Sequence, residues 1–258
     1  MNGIESFVRR AAMLAIPFVF LAVVWQAVSL VMPAFVFPSL DNIFNRTLNI
    51  LESWRQFSDV LATVSRILGG LAGAFILGAI FASFMMRFRF LDKFISPILT
   101  FFQGIPALSW VVFAIIWFRG TEFRIFFIMV ATTLPAFTFQ ILDALRGMQK
   151  DLIEMVQSFR PTRRKILTAM IVPAILPEIL TAWKVNLGNA SRVVVVAELV
   201  GATDGIGYQL MQQQQLFDMA GALAWTLQIV FFVVVVQQII SLIETNVFRY
   251  RAISERTI

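Results

Sequence analysis

The sequence contains neither cysteine nor histidine. Their absence excludes disulfide bonds, thiol nucleophiles and imidazole acid–base catalysis. It also removes the side chains that most often bind zinc and other transition metals. We therefore expect no cofactor or metal in this chain. Without these two residue types few catalytic groups remain, so an enzyme that acts within the membrane is the least favoured function for this chain.

Charged side chains are also scarce. Only 14% of the 258 residues are charged, whereas a soluble domain carries roughly a quarter. Hydrophobic residues make up 59%, and the mean hydropathy is +0.82. Apolar runs fill most of the length and leave no stretch for a separate soluble module. We expect a single transmembrane domain over residues 1–258.

Long apolar runs are abundant, and a helix needs about 20 mostly apolar residues to cross a bilayer. The first run follows Arg9 and Arg10 as a secretion signal would. It is longer than a signal core and lacks a cleavage site, so we expect a retained helix. Glycines in the second run are expected to let helices pack closely. Six segments qualify as spanning helices, which predicts an all-α membrane fold: 13–32, 62–86, 95–118, 123–142, 174–199 and 222–243.

The net charge of +6 does not indicate nucleic-acid binding, because the basic residues are scattered with no Arg-Gly or aromatic RNA-binding pattern. Most Lys and Arg residues flank the segment ends that share a side with the N-terminus. Basic residues near helix ends are retained in the cytoplasm, so both termini are predicted to be cytoplasmic. The opposite side carries only four: Arg46, Arg55, Arg119 and Arg124.

Two segments predicted on the outer side are more than connectors. Residues 39–54 begin with the helix-capping residue Ser39 and space their apolar residues as a helix does, which predicts an amphipathic helix on the membrane surface. Residues 201–221 are interrupted by glycines before a run of glutamines, which indicates a broken turn with a short helix.

The long polar connection at residues 143–173 carries a recognisable pattern. Glu154-Met155-Val156, then Arg160, then Met170-Ile171-Val172-Pro173 resemble the EAA loop of permease subunits of ATP-binding-cassette importers. Further matches to the nitrate, taurine and alkanesulfonate branch of these permeases run along the chain: Gln103-Gly104-Ile105-Pro106, Trp117-Phe118-Arg119-Gly120, Leu176-Pro177, and Ala197-Glu198-Leu199-Val200-Gly201-Ala202 followed by Gly205-Ile206-Gly207-Tyr208.

The resemblance implies a type I importer permease in a bacterial inner membrane, with six spanning helices and a cytoplasmic coupling helix at 151–162. This helix would dock on a partner ATPase through Glu154, Met155, Val156, Ser158, Arg160 and Pro161. The resemblance further implies two ATPase subunits that bind ATP and Mg, a second permease copy, surrounding lipid and an extracytoplasmic solute-binding protein. The chain lacks a Gly-x-x-x-x-Gly-Lys-Ser/Thr motif, so its energy must come from such a partner.

The loop departs from the family pattern at three positions. Met155 and Val156 replace two alanines, and Arg160 replaces a glycine. A glycine permits a turn that is unfavourable for other residues. Because Pro161 favours an extended conformation at Arg160, we still expect a turn here, but of different shape.

Polar residues inside a bilayer are costly and are functional candidates by default. Lys184 and Arg192 lie at helical spacing, with Asn189 beside them, and would attract an anion along a path. Alternatively, the two cations pair with Glu178, Glu198 or a neighbouring helix, and Arg66 either snorkels to the surface or pairs.

Three further residues are candidates for the path or a gate. Gln103 and Pro106 interrupt an apolar segment and either line the path or form a packing kink. Glu198 precedes the glycines at 201–207 and forms either a gate with glycine hinges or a structural turn.

We therefore expect an importer permease for a small solute, with a sulfonate-like or nitrate-like anion as the leading substrate class. Related permeases also serve neutral or cationic heterocycles. The alternative is a secondary transporter or channel driven by an ion gradient, which predicts inverted repeats and acidic ion sites at mid-membrane.

Overall fold

The structure of the protein, a computed structural model, describes residues 2–148, 158 and 162–247, and this part of the chain contains no strand. The helices, in chain order, are α1 (Asn2–Ser29), α2 (Leu40–Glu52), α3 (Trp54–Arg87), α4 (Arg89–Gly104), α5 (Ala107–Trp117), α6 (Thr121–Arg146), α7 (Arg163–Ile166), α8 (Val172–Gly201), α9 (Ile206–Gln215) and α10 (Met219–Val247); a π-helical turn, Leu167–Ile171, joins α7 to α8.

The described residues contain four helices that are long and apolar enough to span a bilayer: Trp54–Arg87, Thr121–Arg146, Arg164–Gly201 and Met219–Asn246. A fifth span is formed if α4 and α5 are counted together, and these two helices meet at an angle of 96°. The segment predicted to span at 95–118 therefore consists of two helices, with Pro106 in the break between them, where a kink was expected. The apolar part of α1 with described side chains, Ala15–Ser29, is shorter than a span. The described residues thus give four or five spans, and the predicted count of six is not confirmed by them.

The core forms where α3 packs against α6 and α8, and its largest buried side chains include Phe137, Leu71 and Leu187. Two glycines of α3 explain the close approach. A Cβ atom at Gly70 would lie 2.6 Å from Met129 Cβ, and one at Gly78 would lie 3.0 Å from Phe137 Cβ. Close packing is confirmed at these glycines, whereas nothing lies within 4 Å of a Cβ at Gly69.

The two predicted special segments are helical. In α2, the Ser39 hydroxyl accepts a hydrogen bond from the Asn42 backbone N–H at 3.4 Å, which confirms the predicted cap. The glycine-interrupted segment folds into a turn followed by the short helix α9. Both helices pack against α10.

The connection after α6 is shorter than predicted. Hydropathy places its end at Pro173, but helical structure resumes at Arg163 and continues through the π-helical turn into α8. Residues 163–165 are polar, so hydropathy does not predict that they belong to this helical stretch. We call this end of the bundle, where α6 ends and α7 begins, the loop end.

Candidate functional site

The opposite end of the bundle is organised around the guanidinium group of Arg66 on α3. Its side chain is only 4% exposed, and it contacts carboxylates from two other elements and from the turn after α8. Nη1 donates to Glu198 Oε1 at 2.8 Å, and Nη2 donates to Asp204 Oδ1 at 2.6 Å. Nε donates to both carboxylate oxygens of Glu122, each at 3.1 Å, and Nη2 donates to Glu122 as well.

Glu198 near the end of α8 is completely buried. Besides the bond from Arg66, its carboxylate accepts hydrogen bonds from the Thr63 hydroxyl at 2.8 and 2.9 Å and from the Gly207 backbone N–H at 2.9 Å. A buried charge is tolerated only when it is paired and fully hydrogen-bonded, and Glu198 meets both conditions. We call Thr63, Arg66, Glu122, Glu198 and Asp204 the Arg66 cluster.

The start of α9 is held by hydrogen bonds to side chains in the same region of α3. Asp59 on α3 accepts hydrogen bonds from the Gly205 backbone N–H at 3.1 Å and from the Gln209 side chain at 2.6 Å. The Thr63 hydroxyl oxygen accepts one from the Ile206 backbone N–H at 2.8 Å. Side chains of α3 and α8 thus occupy the backbone donors that a helix start leaves free.

Two glycines make this arrangement possible. Gly205 has a φ of +99°, which disfavours residues with a side chain. A Cβ atom at Gly207 would lie 2.3 Å from the Val195 backbone oxygen and 2.6 Å from Glu198 Cβ. The glycine-rich motif therefore lets the backbone of α9 approach the buried carboxylate of Glu198.

The two predicted path cations lie in different surroundings. Lys184 donates to Glu244 Oε2 of α10 at 2.5 Å, so it pairs with a neighbouring helix, one of the alternatives stated above. Arg192 is exposed and has no ion pair or hydrogen bond within the described part of the chain. Eight helical residues turn the chain by about 80° beyond two full turns, which separates the two side chains.

Arg192 belongs to an exposed stripe on α8. Its members recur at intervals of three or four residues, and four of the five are polar: Glu178, Thr181, Val185, Asn189 and Arg192. Arg192 precedes the end of α8 at Gly201 by nine residues, or about 13 Å of helix, which is near the middle of a bilayer core of about 30 Å.

The remaining predicted site residues are spread over the fold. Gln103 and Pro106 are exposed at the break between α4 and α5, away from the Arg66 cluster in sequence. Ser158 is helical and exposed. The other predicted coupling residues, Glu154, Met155, Val156, Arg160 and Pro161, lie outside the described residues.

Sequence reasoning missed most of the Arg66 cluster. It weighed pairing for Arg66 but did not single out Thr63, Glu122 or Asp204. These residues are distant from their partners along the chain, and Glu122 lies 56 positions from Arg66. The sequence did contain one indication of possible partners for Arg66: Glu122 lies in the first turn of α6, and Asp204 lies in the turn after α8.

Several helices of bilayer length, which pack around a buried ionic cluster, define a helical membrane protein. The chain matches, over residues 74–249, the family described as binding-protein-dependent transport system inner membrane component. This match covers more than half of its length, so the chain belongs to that family.

Several relatives resemble this chain. A probable ABC transporter permease of Brucella melitensis is 31% identical over 72% of this chain and 76% of its own. A formylaminopyrimidine transport permease of Halalkalibacterium halodurans is 26% identical over 80% and 83%. The taurine transport system permease of Escherichia coli is 28% identical over 74% and 72%.

A solved structure of the MetNI methionine ABC transporter, in inward-facing conformations, has the same fold. The TM-score is 0.56, and the alignment covers 75% of this chain and 93% of the other at 17% sequence identity. The resemblance to permeases of this class, including the taurine and alkanesulfonate branch, is therefore confirmed. The chain is a transport subunit of an ATP-binding-cassette importer and not an enzyme, and such a permease works with an ATPase and a solute-binding protein.

Proposed function

We propose that the exposed stripe of α8 lines the translocation path and that the transported solute is a small anion. The observation that supports this proposal is Arg192, an exposed guanidinium about 13 Å of helix before the end of a spanning helix, without a partner in the described residues. A cation in that position is too costly to face lipid, so it requires water, protein or an anionic solute beside it. Asn189, one turn away, adds a hydrogen-bonding side chain.

The names of the relatives support the class of solute without fixing it. One relative is named for taurine, which carries a sulfonate, and another for aliphatic sulfonates. A third is named for formylaminopyrimidine, which is a heterocycle. The charge of Arg192 favours a sulfonate-like or nitrate-like anion over a heterocycle without negative charge.

Arg192→Gln tests this proposal, with Arg192→Lys as the variant that keeps the charge. The complete transporter, with its ATPase and binding protein, is placed in liposomes, and ATP-driven uptake of taurine and of nitrate is measured. A hydrogen bond to a charged group contributes about 1.5–3 kcal/mol, so Arg192→Gln should reduce uptake of the transported anion by roughly ten- to hundredfold. Arg192→Lys should retain more of it.

Lys184→Gln is the matched control, because it removes a second cation of α8 that already pairs with Glu244. Lys184→Gln should take up the anion at the same rate as the wild-type transporter. If Arg192→Gln and wild type take up the anion equally well, Arg192 does not serve the substrate. Uptake of formylaminopyrimidine in place of both anions would assign the transporter to the heterocycle class.

We also propose that residues 151–162 form the coupling helix that docks on the ATPase. The segment follows α6 and precedes α7, and the fit of Glu154 and Pro173 to the family pattern supports this role. A short helix that moves as a rigid body transmits motion from one domain to another.

Glu154→Lys reverses a charge on this proposed helix, and Glu154→Gln is the matched control that only removes it. We expect Glu154→Lys to insert normally into the membrane but to co-purify with less ATPase and to lose hydrolysis stimulated by the binding protein. Normal co-purification together with normal stimulation would contradict the assignment.

The assembly proposed is two copies of this chain, two ATPase subunits bound at the loop end, and a solute-binding protein at the Arg66 end. Both termini and the loop end then lie in the cytoplasm, as the distribution of basic residues predicts. The chain has no native cysteine, so single cysteines at Ser158 and at Asp204 can be labelled with an impermeant thiol reagent in intact cells. If the reagent labels Ser158→Cys but not Asp204→Cys from outside the cell, the loop end faces outward and the predicted orientation is wrong.

A further inference from the structure

A shallow groove runs along the last turns of α3, at the loop end of the bundle. Its volume is about 450 Å³, and its walls are mostly apolar. The Ser83 hydroxyl in its floor donates to the Ala79 backbone oxygen at 2.6 Å, so it needs no partner from an occupant. The lining residues form two rows with four-residue spacing along one side of the helix: Ala79, Ser83 and Arg87, and Ile80, Phe84 and Phe88.

Arg87 closes the groove at the end of α3. Its guanidinium lies 5.3 Å from the centroid of the Phe88 ring, and it has no ion pair or hydrogen bond within the described part of the chain. Among the same residues, Arg89 and Lys93 have no such partner either. The carboxylate of Asp92, which lies between them in sequence, already pairs with α6. An anion is therefore the complementary occupant for this end of the groove.

The groove and its cation lie at the depths that a phospholipid requires. Residues 67–86 carry no charge, and at 1.5 Å per residue they cover about 30 Å, the thickness of the hydrocarbon core. Arg87 follows directly and thus lies at the edge of that core. From there the apolar rows extend about 12 Å back towards the bilayer centre, as far as Ala79. An acyl chain fits along the rows, and a headgroup phosphate fits at Arg87.

A helix of a second protein copy suits the groove less well. It would remove water from the Arg87 guanidinium and would have to bring a carboxylate to the same depth. A lipid phosphate is present at that depth in any bilayer, on either side of the membrane. The planar guanidinium of arginine can also donate two parallel hydrogen bonds to one phosphate.

We propose that this groove binds one anionic phospholipid, with its phosphate on Arg87 and an acyl chain along Ile80 and Phe84. Basic pockets at the membrane surface bind anionic headgroups in this way. A zwitterionic headgroup is disfavoured, because its ammonium group would meet Arg89 and Lys93. The site concerns the lipid around the permease and not the transported solute, so it can be tested separately from the proposed function.

Lipid retention by the purified transporter tests the proposal. The permease with its ATPase is incubated in detergent with phosphatidylglycerol or phosphatidylcholine that carry the same acyl chains, and bound lipid is measured by native mass spectrometry. The wild type should retain phosphatidylglycerol in preference to phosphatidylcholine. Arg87→Gln should bind phosphatidylglycerol roughly tenfold more weakly or worse, because a charged hydrogen-bond donor is lost.

Arg89→Gln is the matched control, because it removes the same charge from a residue that does not line the groove. It should weaken the binding of phosphatidylglycerol less than Arg87→Gln does. Equal retention of the two lipids by the wild type would overturn the proposal, and so would equal losses in the two variants.

A second pair of variants tests whether the acyl chain occupies the groove. Ser83→Phe fills the groove and leaves Arg87 in place, whereas Thr226→Phe adds the same ring at an exposed position of α10. Ser83→Phe should lose most of the bound phosphatidylglycerol, and Thr226→Phe should retain it. If Ser83→Phe binds this lipid as tightly as the wild type, surface charge alone attracts the headgroup and the groove is not a site.

A spin label distinguishes lipid from protein as the occupant. The chain has no native cysteine, so Ser83→Cys can be labelled specifically in the complete transporter and reconstituted in liposomes. Oxygen dissolves in the bilayer, and its collisions with the label should be as frequent as at a site that faces lipid. A label that oxygen does not reach would mean that a second copy of the chain covers the groove, and the proposal would fail.

Discussion

Arg66 and Arg146 each carry an ion pair at one end of the helix bundle, but their surroundings differ. Arg66 is 4% exposed and contacts carboxylates of Glu122, Glu198 and Asp204. Among the described residues, the Arg146 side chain at the loop end forms an ion pair with one carboxylate, that of Asp92, at 2.6 Å, and the two side chains are 46% and 26% exposed. Exposed pairs are screened by water and salt, whereas a buried network fixes the position of every member.

This difference fits the different demands on the two ends. The loop end adjoins the segment proposed to contact the ATPase, where the permease must yield to motion of its partner. At the Arg66 end, one side chain joins α3, α6, α8 and the turn that leads into α9. In the proposed assembly, these contacts would carry a motion received at the loop end to the far end of these helices.

Arg66→Ala should produce the largest effect, because it leaves Glu198 charged and buried without its partner. Removing one member of a buried ion pair costs about 3–5 kcal/mol. We expect a large decrease in Tm of the detergent-solubilised protein. Arg46→Ala is a suitable control, because Arg46 forms an exposed pair with Asp218, and its side chain is 52% exposed. Equal Tm values for the two variants would show that the buried cluster contributes no more than a surface pair.

Gly207→Ala should have the next largest effect. The added Cβ atom would lie 2.3 Å from the Val195 backbone oxygen, so α9 or α8 must shift. Overpacking of this kind costs about 1–3 kcal/mol. Gly69→Ala is the matched control, because nothing lies within 4 Å of a Cβ there, and alanine is favoured over glycine inside a helix by about 0.5–1 kcal/mol.

The opposite signs of these two glycine substitutions would distinguish close packing at the Arg66 end from helix propensity alone. Thermal unfolding of both variants in the same detergent measures them. A stabilised Gly207→Ala variant would mean that α9 does not approach α8 as closely as described.

The sequence predicted the parts of the molecule that depend on local pattern. Apolar runs predicted the four helices of bilayer length and the apolar segment that forms α4 and α5. Ser39 predicted the start of α2, and the motif around Glu154 and Pro173 predicted the family. These features require only residues close together in the chain. The resemblance to importer permeases also predicted the transport function, which hydropathy alone does not reveal.

The cluster could not be predicted in the same way, because its bonds join residues far apart in the chain. Arg66 lies 132 positions from Glu198 and 138 from Asp204, and only the packing of α3 against α6 and α8 brings them together. Lys184 shows the same limit, since helical spacing placed it beside Arg192, but its partner Glu244 lies on another helix. The 96° bend was indicated by Pro106, but its size depends on how α4 and α5 pack.

Arg146→Ala should have the smallest effect on stability. Exposed ion pairs contribute about 0–1 kcal/mol, and both side chains of the pair between Arg146 and Asp92 are partly exposed to solvent. Tm should change little, and the small change should shrink further at high salt, because screening already weakens the wild-type pair. Asp92→Asn, which removes the partner charge, should match it. A loss of Tm as large as that of Arg66→Ala would mean that the loop end is fixed as firmly as the Arg66 end, and the proposed contrast in rigidity would fail.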